Sequence, residues 1–304
     1  MTTRKSPGFC LFLALVGGPA LALVCAAQSA PSPGLDTALI ERLTGAKGSL
    51  DAASAVFKVS VPRNDLDVRV RGVRLQPRLG LTSWAAFQEV TNGAMVMGDM
   101  VLLEPQVNAV MSAALDSGLE VTALHNHFFG DEPKVMFMHI GGHGSVEHLA
   151  TAVGKVFRAA AEKPPAAPRA EIDPGKTSLD AAKVEAFLGA KGELKDGVLR
   201  FTIGKVTRMH GETAGAAMGI NTWAAFAGTD SQAVVDGDFA MEERELQAVL
   251  KALRKGGIDI VAIHNHMTGE EPRIVFLHYW GVGPATRLAE VLRSALDAQA
   301  AVSR

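Results

Sequence analysis

An α+β fold in two homologous repeats is what this sequence predicts, and three observations carry the prediction. The 304-residue chain matches itself at an offset of 139. Within each copy the hydrophobic pattern passes from the alternation of strands to the spacing of helices and back. A proline-containing stretch separates the copies. The match is specific: Gly80-Leu-Thr-Ser-Trp84-Ala-Ala-Phe87 recurs as Gly219-Ile-Asn-Thr-Trp223-Ala-Ala-Phe226, and Gly98-Asp99 with Glu104 recurs as Gly237-Asp238 with Glu243. Further along, His125-Asn126-His127, Gly130, Glu132-Pro133, Phe137 and His139 fall on His264-Asn265-His266, Gly269, Glu271-Pro272, Phe276 and His278. Gly45-Ala-Lys47-Gly48 also matches Gly189-Ala-Lys191-Gly192, at an offset of 144, so the early loops of the first copy are longer.

Taken in order, residues 1–27 read as an export signal: Arg4 and Lys5, an apolar run from Phe9 to Val24, then Cys25, Ala26 and Ala27. Gly17, Gly18 and Pro19 interrupt the run, which at about 16 residues is short of the ~20 that span a bilayer. No transmembrane anchor is therefore expected after processing. Cleavage after Ala27 leaves a periplasmic or secreted protein. Lipidation of Cys25 is the alternative, although Val24 stands where a lipoprotein signal carries Gly or Ala. Both cysteines lie in this segment, so a metal site in the mature chain has to use His, carboxylate or carbonyl groups.

The repeats are expected over residues 35–160 and 178–304, with 161–177 as a linker rich in proline. Within a copy, Leu194 to Val206 alternates around Asp196-Gly197, a favoured hairpin turn. Leu246, Val249, Leu250 and Leu253 have helical spacing, and Gly256-Gly257 ends that helix. Ile258 to His264 reads as a buried strand, Arg273 to His278 as a second, and Pro284 to Ala298 as a closing helix. Each repeat is thus β-hairpins followed by an α-β-β-α unit, with helices covering one sheet face. Trp84 and Trp223, like Phe87 and Phe226, are expected in the core. Asp99 and Asp238, each after Gly, are expected to shape the turn before a helix, with a site role as the lesser reading.

The chemistry is expected at the repeated histidines. On a strand His125 and His127 share a face, as do His264 and His266, at a separation whose imidazoles converge on one ion. Whether His139 and His278 join them depends on register: if His127 pairs with Val135, His139 falls opposite Ala123 on the histidine face, and a slip of one residue removes it. Three imidazoles with Glu132 or Glu271 suit a divalent ion, Zn²⁺ first, with Cu, Mn and Fe also compatible. The competing reading has the histidines as hydrogen-bonding structural residues. His143 and His148 occur only in the first copy and His210 only in the second, so the copies need not be equal.

Trp84-Ala-Ala-Phe87, Gly98-Asp99, Ala123-Leu-His125-Asn-His127, Glu132-Pro133 and His139-Ile-Gly-Gly142 with Gly144 resemble the LppY/LpqO family, exported bacterial proteins built on a domain of unknown function. The resemblance covers nearly the whole mature chain and implies export. It implies no reaction.

Beyond the signal, 28 basic residues face 32 acidic ones, the wrong balance for a nucleic-acid partner. The function expected is an exported divalent-metal protein with one site per repeat. If it is catalytic, it is a metal-dependent hydrolase with Glu132 and Glu271 as bases. The alternative is a non-catalytic envelope module that binds a small ligand or handles metal. Substrate and oligomeric state are not encoded in any motif.

Overall fold

The computed structural model describes residues 34–163 and 170–303. The signal read over 1–27 and the prolines at 164, 165 and 168 lie outside the described residues.

The first repeat runs through α1 (Thr37–Thr44), β1 (Gly48–Asp51), β2 (Val56–Pro62), the short hairpin β3 (Arg69–Val70) and β4 (Val73–Arg74), then β5 (Thr82–Val90) and β6 (Gly93–Leu103). It closes with α2 (Val107–Asp116), β7 (Glu120–His125), β8 (Asp131–Glu132), β9 (Val135–Gly144) and α3 (Val146–Ala161). The second repeat has α4 (Ala181–Leu188), β10 (Glu193–Lys195), β11 (Val198–Gly204), β12 (Thr207–Met209), β13 (Glu212–Ala214), β14 (Asn221–Gly228) and β15 (Ala233–Glu242). It ends with α5 (Leu246–Lys255), β16 (Asp259–His264), β17 (Ile274–Gly283) and α6 (Ala285–Val302).

Each repeat therefore opens with a helix that the periodicity did not announce. Asp36 and Asp180 cap these helices by accepting the Leu39 and Lys183 N–H groups. The Gly-Ala-Lys-Gly motif then closes them: Gly45 and Gly189 take the left-handed C-cap conformation. Lys47 and Lys191 pair with Glu41 and Glu185, and the same carboxylates accept the Gly48 and Gly192 N–H groups.

The repeats share one sheet of 12 antiparallel strands in the order β1-β2-β5-β6-β9-β7-β16-β17-β15-β14-β11-β10. Residues Leu35–Arg304 form one compact unit. The two halves meet where Leu124 of β7 pairs with Ile263 of β16. Two amides, at matching positions of the repeats, clamp this seam. Asn108 on α2 accepts the Ile260 N–H at 2.8 Å and donates to its carbonyl at 3.3 Å. Gln247 on α5 does the same for Val121, at 3.0 and 2.9 Å.

The helices α1 to α6 of the described residues all contribute to one buried cluster with Phe57, Phe87, Met138, Phe226, Leu277 and Tyr279. The helices therefore cover one face. The opposite face carries two smaller apolar clusters, around Val101, Val135 and Phe137 and around Ala240, Ile274 and Phe276.

Two expectations are corrected here. Gly98-Asp99 and Gly237-Asp238 lie inside the long strands β6 and β15, not in turns. The glycine is required by close packing: a Cβ on Gly98 would lie 2.7 Å from the Trp84 carbonyl oxygen, and one on Gly237 would collide with the Tyr279 hydroxyl. Phe87 and Phe226 are in the core, but Trp84 and Trp223 are half-buried on the other face. Residues three apart on a strand point to opposite faces. The Lys58 ammonium sits 4.0 Å from the Trp84 ring centroid, and the Arg200 guanidinium 4.3 Å from that of Trp223.

Candidate metal centre

Register assembles the site on the face away from the helices. β9 lies between β6 and β7, pairing His139 with Asp99 on one side and with Ala123 on the other. β17 does the same for His278, between Asp238 and Ala262. Trp84 and Trp223 extend these rows next to Asp99 and Asp238. A bulge between Val121 and Ala123, repeated between Ile260 and Ala262, shifts the register just upstream of the histidines. His139 and His278 thus share the face of His125 and His264.

His125 and His264 are the last residues of β7 and β16, so His127 and His266 stand beyond the strands. Their rings are held by stacking: His127 lies face to face with Phe137, centroids 3.4 Å apart and planes nearly parallel, and His266 lies 3.5 Å from Phe276. In the first repeat His125 is 5.2 Å from both His127 and His139, centroid to centroid. In the second, His264 is 5.0 Å from His266 and 4.7 Å from His278. The structure brings all six predicted histidines into two such groups.

The second group closes further. His266 Nε2 lies 3.1 Å from His264 Nε2 and 3.3 Å from Asp238 Oδ2. One ligand atom from each of Asp238, His264 and His266 lies within 4.8 Å of the others. Asp238 is 2% exposed, and among the described residues its Oδ1 has no hydrogen-bond partner; neither has His264 Nδ1 nor, in the first repeat, Asp99 Oδ1. His278 directs Nδ1 to the Gly237 carbonyl at 3.3 Å, which leaves Nε2 as its free nitrogen.

The electrostatics follow from burial. Desolvation lifts the Asp238 carboxyl to about 6, against the pull of the nearby His278 charge. His264 is lowered to about 4 by burial, then by the charges of His278 and His266. His266 is lowered by burial and by His278, and His127 by burial and by His125. His264 is thus neutral at pH 7 and can offer a lone pair. A single N–H on His266 Nε2 can satisfy only one of its two close neighbours, whereas a cation among the three atoms satisfies all of them. The two spacings at His266 Nε2 fit: with metal–nitrogen bonds of about 2.0 to 2.1 Å, the edge of a tetrahedral zinc site is about 3.3 Å.

Glu132 and Glu271 are placed elsewhere. Both are exposed, ahead of the cis peptide bonds to Pro133 and Pro272. Glu132 belongs to β8, opposite Arg69 of β3. Glu271 exchanges backbone hydrogen bonds with Arg208, both at 3.0 Å. The acids just before them close the turn, as Asp131 accepts the Val135 N–H and Glu270 the Ile274 N–H. The carboxylate beside the second histidine group is Asp238. The sequence held a signal for it: Ala94, Val96, Gly98, Met100 and Leu102 alternate toward the core, which sends Asp99 to the other face.

No curated protein matches the chain significantly. Among solved structures, a trimeric bacterial microcompartment shell protein PduB aligns with 10% identity over 83% of this chain and 89% of its own, at a TM-score of 0.19. The ethanolamine utilization protein EutL from Leptotrichia buccalis has 9% identity over 69% and 82%, at 0.20. EutL from Clostridium perfringens has 9% identity over 71% and 84%, also at 0.20. At such TM-scores these likenesses bear on neither fold nor function. The family described as Domain of Unknown Function (DUF1259) matches residues 38–159 and again 182–298. The chain belongs to that family and carries its domain twice.

Proposed function

We infer that this protein binds divalent metal on the open face of its sheet, first through Asp238, His264 and His266 with His278 alongside. The observation that carries the reading is the buried Asp238 carboxylate, which lacks a hydrogen-bond partner at Oδ1 and stands 3.3 Å from an imidazole nitrogen. A buried carboxylate with one oxygen left unsatisfied is costly, and an ion among these ligands compensates it. His125, His127, His139 and Asp99 are the matching, more open set. Zn²⁺ suits the nitrogen and oxygen donors best, with Cu, Mn and Fe as competitors.

When bound, such an ion lowers the pKa of a coordinated water and polarises carbonyl or phosphoryl oxygens. The residues beside it support binding more directly than hydrolysis. Glu132 and Glu271, expected as bases, are exposed and outside the group. The reading carried furthest is therefore a metal-binding module, with hydrolysis as its narrower form. Export, resting on residues 1–27, and membership of the LppY/LpqO branch, resting on the His-Asn-His to Gly144 motif, complete the proposal.

Elemental analysis of protein purified without an affinity tag, followed by titration with Zn, Cu, Mn and Fe ions in turn, tests it. Bound metal that is lost in Asp238→Ala and His264→Ala supports the reading. Protein that takes up none of the four metals overturns it and returns the histidines to a structural role.

A further inference from the structure

The turns that surround the first histidine group combine side chains in a way the second repeat does not. Residues 63–78 include Arg63, Arg69, Arg71, Arg74 and Arg78, and the turn after His127 holds Phe128 and Phe129. Phe129 is 81% exposed, Val73 61% and Leu79 58%. These residues occupy three separate turns held side by side. The Arg71 N–H donates to the Gly130 carbonyl, β3 pairs with β8, and Phe128 lies against Gly80.

The acids of this lobe are mostly engaged. Asp65 pairs with Arg63 and Asp67 with Arg74, while Asp131 accepts a backbone N–H. Glu132 remains, across from Arg69. Arg69, Arg71 and Arg78 form no ion pair among the described residues. In the second repeat the turn is Met267-Thr268-Gly269, and the Lys and Arg of its excursion are two, Lys205, paired with Glu245, and Arg208, beside His210 and Glu212. Val206 and Met218 are exposed there, but without the unpaired arginines of the first repeat.

We propose that this lobe docks on an anionic lipid surface. Phe129, Leu79 and Val73 enter the interface, and Arg69, Arg71 and Arg78 meet lipid phosphates. A lipid interface accepts apolar tips on separate turns without shape complementarity. The surrounding arginines add electrostatic attraction and lay their stems along the interface. Phe128 packs edge-on against His127 and Phe137, at 6.0 and 6.1 Å, so docking brings headgroups beside the first histidine group. Metal binding is not required.

Sedimentation of the full chain with vesicles tests this, in the presence of a chelator. Equal parts of phosphatidylcholine and phosphatidylglycerol are compared with phosphatidylcholine alone. The apolar amino-terminal segment is common to every variant, so differences between variants read the lobe. Arg71→Ser and Arg78→Ser should each weaken binding about fivefold at low salt, and Phe129→Ser should weaken it further. Phe129→Trp should add an indole emission that shifts to the blue and is quenched by brominated phosphatidylglycerol beyond the parent protein. Unchanged far-ultraviolet dichroism shows that these exposed positions leave the fold intact. Equal binding of parent and serine variants, or an unquenched added indole, overturns the proposal. Retention by polyglutamate without vesicle binding also overturns it and assigns the lobe to an acidic protein partner.

Discussion

In the second repeat Asp238 is 2% exposed, and His264 and His266 bring their Nε2 atoms to 3.1 Å. In the first, Asp99 is half-buried, and His125 and His127, with centroids 5.2 Å apart against 5.0 Å for His264 and His266, stack at 17° where the second pair is tilted by 41°. The candidate ligands come from identical columns of the repeat. What differs is the surroundings: Phe128 against Met267, Ile140 against Tyr279, Gly141 against Trp280. Matched columns supply the donor atoms, and unmatched neighbours set how far they are desolvated. The same ligand set can therefore be closed in one repeat and open in the other.

The largest expected effect bears on this inequality. Two equivalents of Zn²⁺ should bind with unequal affinity, and Asp238→Ala should weaken the tighter one about a hundredfold or more, while Asp99→Ala affects only the weaker. Calorimetric titration of both variants measures this, and two equal sites would break the comparison. Next is the seam. Gln247→Ala strands the Val121 N–H and carbonyl, which should cost about 2 kcal/mol, and Asn108→Ala should do the same at Ile260. Because the halves share one sheet, urea unfolding should remain a single transition in each variant. Two transitions would mean that the repeats unfold independently.

The pH response sharpens the contrast. A carboxyl raised to about 6 must lose its proton to ligate, so affinity at the tight site should fall below pH 6 by up to about tenfold per pH unit. His264, lowered to about 4, stays neutral through most of that window. Titrations between pH 5 and 7.5 would check the slope, and flat affinity would remove Asp238 from the ligand set. For the metal-free protein the sign reverses. A folded carboxyl above its ordinary 3.8 favours the protonated form, so its stabilising contribution is present at low pH and lost as pH rises through about 6. Asp238→Asn should then raise metal-free stability at pH 7 by about 1 to 2 kcal/mol, with no gain near pH 4. Thermal melts of Asp238→Asn at both pH values would reveal the gain. Smallest are the cations over Trp84 and Trp223: Lys58→Ser and Arg200→Ser should each cost about 0.5 kcal/mol at these exposed sites, measurable by urea titration.

Much of the fold was legible because its signals are local. The duplication, the Asp196-Gly197 hairpin, the helix through Leu246 to Leu253 and the strands bearing the histidines follow from spacing within one copy. The opening helices were not, since eight residues from Thr37 to Thr44 carry too short a period to stand out from their caps. The tryptophans were misread because their bulk suggested burial, when their position three residues before Phe87 and Phe226 placed them on the other face.

By itself the sequence determined that there are two copies, that six histidines recur at fixed spacing, and that cysteine takes no part beyond residue 25. Residue identity and interval settle such matters. Only the tertiary structure decided that the copies share one sheet, that His139 and His278 face the other histidines, and that Asp99 and Asp238 accompany them. Those outcomes depend on pairing between strands distant in the chain and on a one-residue bulge, and with a side-chain period of two a single residue of register moves every ligand to the opposite face.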